Sequence, residues 1–321
     1  MHKVYCYGEA LIDFIGTPSG ANIQNTDSFV KKPGGAPANV AVALARLQTP
    51  VAFIGKVGAD PFGDFLEQTF LNEGVDIAHL IKSDNPAHQT SLAFVSLDDQ
   101  KERHFSFFRS PGADTQLDRK DLSKIIFDGP SIFHFGSISL IGGPTKECCF
   151  ALIEEAQKNS LISYDPNLRL NLWPSESVCR ETVINSLHYA DILKLSEEEL
   201  LFLSEKSNLD EAINFIRGKF EGILLVSMGA QGAMVYLGNQ SIKKSAQPCK
   251  VVDTTGAGDA FLGGFLTAVS RLWQGVPLTI VDCRKALELA VTTGSYAVQD
   301  YGAMSALPKY EEIDWQSFSL D

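Results

Sequence analysis

The sequence predicts an α/β fold in which a mainly parallel sheet lies between two layers of helices. Short, nearly continuous apolar runs alternate with segments of helical periodicity along most of the chain. Such runs are typical of parallel strands that are buried on both faces. Two stretches, residues 11–32 and 90–110, interrupt this alternation. We therefore expect one domain over residues 1–321, with a three-layer α/β/α body and a small β-lid.

Five apolar runs are expected to be strands of the main sheet. The first is 51–54, and Asp60 and Pro61 behind it form the cap and first turn of a helix that Gly74 ends. The other four runs are residues 131–135, 161–164, 190–194 and 222–226, with a helix expected over residues 145–158. Strands that alternate with helices in this way are typical of a parallel sheet.

The two interrupting stretches are interpreted as a lid attached to the main sheet. Residues 92–95 and 105–108 are apolar runs separated by the polar turn 98–101, which predicts an antiparallel hairpin. Residues 11–32 combine short apolar segments with Gly16, Pro18 and Gly20. Ordinary edge strands are the alternative that a single sequence leaves open.

Composition limits the classes of function. The 39 acidic and 27 basic residues give a formal net charge of −12, which argues against a broad surface for nucleic acid or an anionic membrane. No apolar run approaches the roughly 20 residues that cross a bilayer, and the first residues do not resemble a signal peptide. The six cysteines form no CxxC pair and are expected to be reduced. These features predict a cytoplasmic protein without a nucleic-acid or membrane partner.

Residues 253–259 (DTTGAGD) carry the clearest chemistry in the chain. Gly256, Ala257 and Gly258 lead directly into a predicted helix, so their N–H groups and the helix dipole can converge on one anion. Asp259 lies in the first helical turn, where a carboxylate either caps the helix or acts as a general base. We favour the base, because a carboxylate beside an anion hole can deprotonate a hydroxyl that attacks phosphorus.

Several common catalytic motifs do not occur. The chain has no Walker GxxxxGK[ST] loop, no protein-kinase glycine loop and no HRD motif. It also lacks HExxH and GxSxG. The predicted anion site is therefore of another type.

Two segments resemble the signatures of the PfkB, or ribokinase-like, carbohydrate kinases. The C-terminal signature is residues 253–259, and the N-terminal signature is residues 34–47 (GGAPANVAVALARL) followed by 53–58 (FIGKVG) and Asp60. They stand in the family's order and separation, so the resemblance covers essentially the whole chain. Three further segments are most similar to fructokinases: residues 8–14 (GEALIDF), 107–114 (FFRSPGAD) and 165–169 (DPNLR).

The resemblance implies a ribokinase-like fold and an activity. The expected reaction is transfer of the γ-phosphoryl group of ATP, with Mg²⁺ and an optional K⁺, to the 6-hydroxyl of D-fructose. Ribose, 2-keto-3-deoxygluconate or a nucleoside are alternative acceptors within the family. A sugar- or nucleotide-binding regulator is the non-enzyme alternative, against which the intact Asp259 and residues 256–258 argue.

Sugar-binding residues are expected within the lid segments and directly after the first of them. Gly34 and Gly35 form a tight turn that lets a ligand approach the backbone, and Asn39 is expected to begin a helix. The resemblance implies that Asp13 and Asn39 hold sugar hydroxyls and that Phe107 and Arg109 close over the sugar. A capping amide at Asn39 and a surface ion pair at Arg109 are the alternatives.

Phosphate and magnesium ligands are expected after two strands. Arg169 suits phosphate oxygens. The family usually has Asn-x-x-Glu after the next strand, and the resemblance implies that Glu197 holds Mg²⁺ through water, although Lys194 stands in the Asn position. A first-turn helix charge is the alternative for Glu197, and Glu198 and Glu199 are interpreted as plain helix charges.

The nucleotide is expected to lie along backbone and small side chains. Its predicted wall consists of Ser227, Gly229, Gly232, Gly256 and Gly258, with Lys194 as a further nucleotide-binding residue and Ala286, Ala290 and Gly294 beside adenine. A simple glycine turn is the alternative for Ser227, Gly229 and Gly232. Ordinary helix packing is the alternative for the residues of the predicted helix beside adenine. The resemblance also implies a monovalent cation near Asp253 and Thr255. A homodimer through the lid is a further expectation, because antiparallel lid edges can pair.

Overall fold

The computed structural model describes residues 1–17, 22–97, 103–124, 127, 129–318 and 320. In chain order the strands are β1 Val4–Tyr7, β2 Leu11–Thr17, β3 Ser28–Gly34, β4 Val51–Val57, β5 Asp76–Lys82, β6 Leu92–Leu97, β7 Arg103–Phe108, β8 Ile132–Gly136, β9 Leu161–Asp165, β10 Ile192–Ser196, β11 Ile223–Ser227, β12 Ala233–Leu237 and β13 Gln240–Lys244. The α-helices are α1 Ala36–Arg46, α2 Pro61–Glu73, α3 Gly143–Ala156, α4 Glu176–Ser186, α5 Glu197–Ser204, α6 Leu209–Arg217, α7 Ala257–Leu272 and α8 Ile280–Ala297.

Nine strands form the main sheet, in the order β13-β12-β11-β10-β9-β8-β1-β4-β5. β1 pairs in parallel with β4 and β8, so that Cys6 stands between Phe53 and His134. Parallel pairing continues from β8 through β9 and β10 to β11, and β12 and β13 then add an antiparallel edge. All five strands predicted from apolar runs lie in the parallel part, which confirms the predicted sheet.

Helices cover both faces of the main sheet. One buried cluster joins the sheet to α1, α2, α7 and α8, and a second joins it to α3, α4, α5 and α6. Val4 and Cys6 of β1 belong to the first cluster, whereas Tyr5 and Tyr7 belong to the second, because successive side chains of a strand point to opposite faces. Full burial of one large apolar side chain contributes about 1.5–3 kcal/mol. The predicted α/β/α layering is confirmed.

Local sequence signals set most of the helix ends. The Asp60 carboxylate accepts hydrogen bonds from the N–H groups of Phe62 and Gly63, and Gly74 ends α2 in the left-handed conformation, as predicted. The sequence predicts a helix that starts at Asn39, but α1 starts at Ala36. The earlier start follows from Pro37, because proline suits the first turn of a helix. Asn39 therefore lies inside α1 instead of capping it.

A separate four-stranded sheet, here called the smaller sheet, has the order β3-β2-β6-β7. β2 and β3 pair antiparallel, as do β6 and β7, while β2 and β6 are parallel. The described strands of the stretches 11–32 and 90–110 thus form a sheet that is separate from the main sheet. The predicted turn at 98–101, as well as Pro18 and Gly20, lies outside the described residues.

The two faces of the smaller sheet differ. On one face Phe14 and Phe94 stack with ring centroids 5.0 Å apart, and Phe14 also meets Phe62 of α2. Asp13 and Phe107 lie on the other face, which borders a cavity. In the described part of the chain, no helix is long and apolar enough to cross a membrane.

Candidate active site

Polar side chains meet at the carboxyl edge of the main sheet. Asp165 ends β9 and Lys194 lies near the end of β10, and the Lys194 Nζ atom is 3.0 Å from Asp165 Oδ2. Burial alone would lower the pKa of Lys194, but the Asp165 and Glu199 carboxylates outweigh it and raise the pKa. The ammonium therefore stays charged. It faces the first turn of α7, because a Cβ on Gly258 would lie 3.3 Å from Nζ.

Asp259 lies in the same first turn and is almost fully buried, with 7% of its surface exposed. The Asn39 Nδ2 atom donates to Asp259 Oδ2 at 2.7 Å. Burial raises the pKa of Asp259 to about 7, although the Asn39 hydrogen bond and the charges of Lys194 and Arg169 oppose the shift. A carboxyl group whose pKa lies near neutrality is suited to accept a proton from a hydroxyl.

The start of α7 is built as an anion site. Gly256 precedes the helix with φ of 77° and without a side-chain hydrogen bond at this cap. A Cβ there would lie 2.8 Å from Ala303 Cα, so glycine is required both by the left-handed conformation and by the close approach. The N–H groups of the first turn lack carbonyl partners within the helix and can bind an anion.

A polar cavity of about 240 Å³ lies between the smaller sheet and the first turn of α7. Asp13 and Phe107 line it from the smaller sheet, and Gly35 and Asn39 from the start of α1. Asp259, in contact with Asn39, also lines it, together with the other predicted members Arg169, Lys194, Thr255, Gly256 and Gly258. Carboxylate and amide groups arranged around one small cavity suit a polyhydroxylated ligand.

A second cavity, of about 630 Å³, adjoins the first and is mainly apolar. The two share Thr254 and Gly258, so they meet at the start of α7. The predicted wall residues Ser227, Gly229, Gly232 and Gly258 line the second cavity, and Gly256 does not occur among its described lining residues. Other parts of the wall come from Ala257, from residues 246–249 and 251, and from Val291, Gly294, Ser295 and Val298 of or after α8. This size and lining suit an aromatic base and its ribose.

The sequence model of the pfkB family of carbohydrate kinases matches residues 1–310 of this chain. The chain belongs to this family. It is accordingly a sugar phosphotransferase with a ribokinase-like fold.

Relatives of this kinase include a probable chloroplastic fructokinase-6 from Arabidopsis thaliana, 41% identical over 97% of this chain and 81% of that protein. A double-mutant fructokinase from Vibrio cholerae O395, crystallised with fructose, ADP and a potassium ion, has a TM-score of 0.85 and 36% identity, covering 96% of both chains. Aminoimidazole riboside kinase from Salmonella enterica, solved with aminoimidazole riboside and an ATP analog, has a TM-score of 0.83 and 33% identity, covering 96% of this chain and 97% of that one.

Of the predicted adenine wall, Gly294 lines the second cavity, whereas Ala286 and Ala290 do not occur among its described lining residues and are fully buried. Ala290 Cα lies 3.1 Å from the position of a Cβ on Gly264 of α7. Ala290 therefore belongs to the packing seam between α7 and α8, where small residues let two helices approach closely. Ser295 adds to the cavity wall beside Gly294.

The expectation that Glu199 is a plain helix charge is wrong. Its side chain is buried, and its two oxygens accept from the N–H groups of Leu168 and Ser196. It thereby links the start of α5 to the loop after β9, and it acts on the charge of Lys194. Glu197 is half-buried in the same turn and does not occur among the described residues that line either cavity.

Arg109 is placed differently from the expectation. Its Nε atom donates to Asp114 Oδ2 at 2.7 Å, and its side chain is largely buried. Arg109 does not occur among the described residues that line the polar cavity. The guanidinium therefore pairs with an acid of the body, and this pair is neither a surface ion pair nor part of the cavity wall.

The loop 253–255 is held by its own side chains. Asp253 Oδ1 accepts from the N–H and the hydroxyl of Thr255, at 3.0 and 2.6 Å, and Oδ2 accepts from Gly302 N–H. Among the described residues that line the polar cavity, neither Gly34 nor Asp253 occurs. A Cβ on Gly34 would lie 2.2 Å from Asp13 Oδ2. These residues support their neighbours that do line the cavity.

Glu9 is one of the cavity-lining residues that sequence reasoning missed. It follows β1, lines the polar cavity and is only 3% exposed. Its one sequence signal was its position directly after a buried strand, where ligand-binding residues of parallel sheets gather.

Proposed function

We propose that this kinase is an ATP-dependent fructokinase that phosphorylates the 6-hydroxyl of D-fructose. The observation that carries the proposal is the meeting of a polar cavity and a larger apolar cavity at the first turn of α7, where Asp259 lies. A sugar and a nucleotide in these cavities would bring a hydroxyl and a phosphoryl group together. The fructokinase relatives support fructose as the sugar.

In the proposed mechanism Asp259 accepts the proton of the attacking 6-hydroxyl. Asn39 holds the Asp259 carboxylate by its hydrogen bond, which fixes the direction in which the proton is taken. The N–H groups of Ala257, Gly258 and Asp259 stabilise the charge on the equatorial oxygens of the transferred group. Lys194 and Arg169 add positive charge at the same place, so that catalysis consists mainly of positioning and electrostatics.

Magnesium would be held mainly by the phosphates, with few protein ligands. In the described part of the chain, no group of three His, Cys, Asp or Glu side chains could hold a metal ion. Mg²⁺ is usually bound by one or two carboxylates together with waters and substrate phosphates. When bound, the ion neutralises phosphate charge. Glu197 through water stays the prediction for its protein contact, and Asp253 and Thr255 for K⁺, which the potassium ion in the Vibrio cholerae structure supports.

Metal titrations test the assignment of Glu197. We expect activity to require Mg²⁺ or Mn²⁺ and Glu197→Gln to raise the metal concentration that gives half-maximal rate. Glu198→Gln, which changes the exposed neighbouring carboxylate, is the matched control. Identical titrations for the two variants would leave Glu197 as a helix-start charge only.

The smaller sheet is proposed to act as the lid over the sugar, and a homodimer through its edges stays a prediction. A riboside kinase is the second candidate function, favoured by the likeness to aminoimidazole riboside kinase. An assay of ADP release with Mg-ATP over fructose, ribose, 2-keto-3-deoxygluconate, glucose and nucleosides decides between them. We expect the highest kcat/KM for fructose. Release of ADP with none of these acceptors would instead favour a binding protein without catalysis.

A further inference from the structure

Glu9 lines the polar cavity, and its buried carboxyl group has one oxygen without a hydrogen-bond partner among the described residues. Its Oε1 atom accepts from the N–H of Ala36, the first residue of α1, at 3.2 Å. Its Oε2 atom is buried without a hydrogen-bond partner among the described residues. Such an atom costs free energy unless something satisfies it. Burial also raises the pKa of Glu9 to about 7.

Glu9 and Asp259 line the same cavity from different elements, since Glu9 follows β1 and Asp259 lies in the first turn of α7. Both contact the first turn of α1: Glu9 accepts from the N–H of Ala36, and Asp259 accepts from the Asn39 amide. A ligand whose reacting hydroxyl touches Asp259 can therefore present a second hydroxyl to Glu9.

Among the described residues, no group donates a hydrogen bond to Glu9 Oε2. The guanidinium of Arg109 is engaged by Asp114, which also accepts from the hydroxyl of Ser91. Arg109 thus acts on Glu9 through its charge, and Glu9 Oε2 keeps its capacity to accept. Because Oε2 is buried while Glu9 lines the cavity, contact with a ligand requires a change of side-chain conformation, which is common on binding.

We propose that Glu9 accepts a hydrogen bond from the 1-hydroxyl of D-fructose and thereby selects fructose over pentofuranoses. This inference rests on the proposed function. In the furanose ring, C2 and C5 flank the ring oxygen, so the hydroxymethyl group on C2 points away from the reacting C6 hydroxyl on C5. Ribofuranose has no hydroxymethyl group at the matching carbon. A carboxylate that loses its hydroxyl partner rejects such an analogue because it stays desolvated and unpaired.

The alternative role for Glu9 is purely structural. Its hydrogen bond to Ala36 holds the turn at Gly35, whose absent Cβ would collide with the Glu9 carbonyl oxygen at 2.4 Å. Glu9→Gln separates the two roles, because the amide oxygen can still accept from Ala36 while the second carboxylate oxygen is replaced by a donor. Glu9→Ala removes both interactions.

The experiment compares kcat/KM for D-fructose and 1-deoxy-D-fructose, which differ only in the 1-hydroxyl. We expect the parent to prefer fructose by about 10- to 100-fold, the range for a hydrogen bond to a charged group. Glu9→Gln and Glu9→Ala should lower kcat/KM for fructose at least about tenfold and change it for the deoxy sugar by less than about threefold. Glu198→Gln is the control and should match the parent on both sugars, and thermal melting checks that each variant is folded.

Three outcomes would overturn the inference. Equal kcat/KM of the parent enzyme for the two sugars would exclude the inference without any variant. Equal losses on both sugars in the Glu9 variants would show that Glu9 only supports the turn. A preference that survives in both variants would place fructose recognition elsewhere. A parent that does not phosphorylate fructose overturns the proposed function as well, which distinguishes that failure from the other three.

Discussion

At the scale of single residues, the carboxyl group of Asp259 is the proposed general base, and burial raises its pKa to about 7. We predict that Asp259→Asn binds sugar and ATP nearly as the parent does but loses about 10²- to 10⁴-fold in kcat, the range for a general base. The amide keeps the shape and the contact with Asn39 but cannot take the proton. Steady-state kinetics with separate binding measurements checks this, and a kcat within about tenfold of the parent would exclude the assignment.

The pH dependence follows from the same burial. Because the pKa of Asp259 is raised to about 7, the base is protonated below that pH and free to act above it. We therefore expect kcat/KM to rise between pH 6 and 8 with a midpoint near 7. Asn39→Ala removes a hydrogen bond that favours the charged form, so the midpoint should move upward.

Burial also raises the pKa of Glu9 to about 7, and Glu9→Gln is therefore the control for the pH profile. The rising limb should persist in Glu9→Gln if Asp259 causes it. A flat profile in that variant would assign the limb to Glu9, and an unshifted midpoint in Asn39→Ala would show that this hydrogen bond does not tune the base.

At the scale of elements, the smaller sheet borders the polar cavity and is the proposed lid. One face packs aromatic rings onto α2 through Phe14 and Phe62, while the other presents Asp13 and Phe107 to the cavity. A covering element of this kind excludes water from phosphoryl transfer and so limits ATP hydrolysis. Asp60 also ties α2 to the start of the hairpin, since its carboxylate accepts from the N–H and hydroxyl of Thr90.

We predict that hydrogen exchange across residues 90–110 slows when fructose is added. The sugar should hold the hairpin against the body through contacts near Phe107, which lowers the frequency of opening. Exchange in β12 and β13, at the far edge of the main sheet, should not change and serves as the internal reference. Unaltered exchange in the hairpin at saturating fructose, with the enzyme active, would contradict closure.

At the scale of the whole molecule, the site depends on how closely helices from distant parts of the chain pack. α7 places Asp259 by lying against α1 and α8, where the absent side chains of Gly263 and Gly264 leave room for Ala43 and for Thr293. Thr293 also donates from its hydroxyl to the Ala260 carbonyl at 2.8 Å. A side chain added at this seam would displace the first turn of α7, and with it the base.

We predict that Gly264→Ala lowers the free energy of unfolding by about 1–3 kcal/mol, as overpacking typically does. Its Cβ would lie 2.3 Å from Thr293 Oγ1 and 3.1 Å from Ala290 Cα. Gly218→Ala is the control, because its Cβ would meet only ordinary contacts at 3.5 Å. Chemical denaturation of both variants measures the difference. Equal stability of the two would show that the seam adjusts.

The sequence by itself determined the layered α/β fold, the two hairpin strands of the smaller sheet, and most of the polar cavity. Those features follow from local patterns: apolar runs, the Asp60 cap, and the glycines before α7. Only the tertiary structure decided that β2 and β3 complete the smaller sheet, that Arg109 pairs with Asp114, and that Ala290 and Glu199 are buried. Each of these depends on a neighbour more than thirty residues away or on the orientation of a side chain. Glu9 shows the limit best, because its burial and its unsatisfied oxygen arise from α1 and the cavity above it, which no spacing in the sequence reveals.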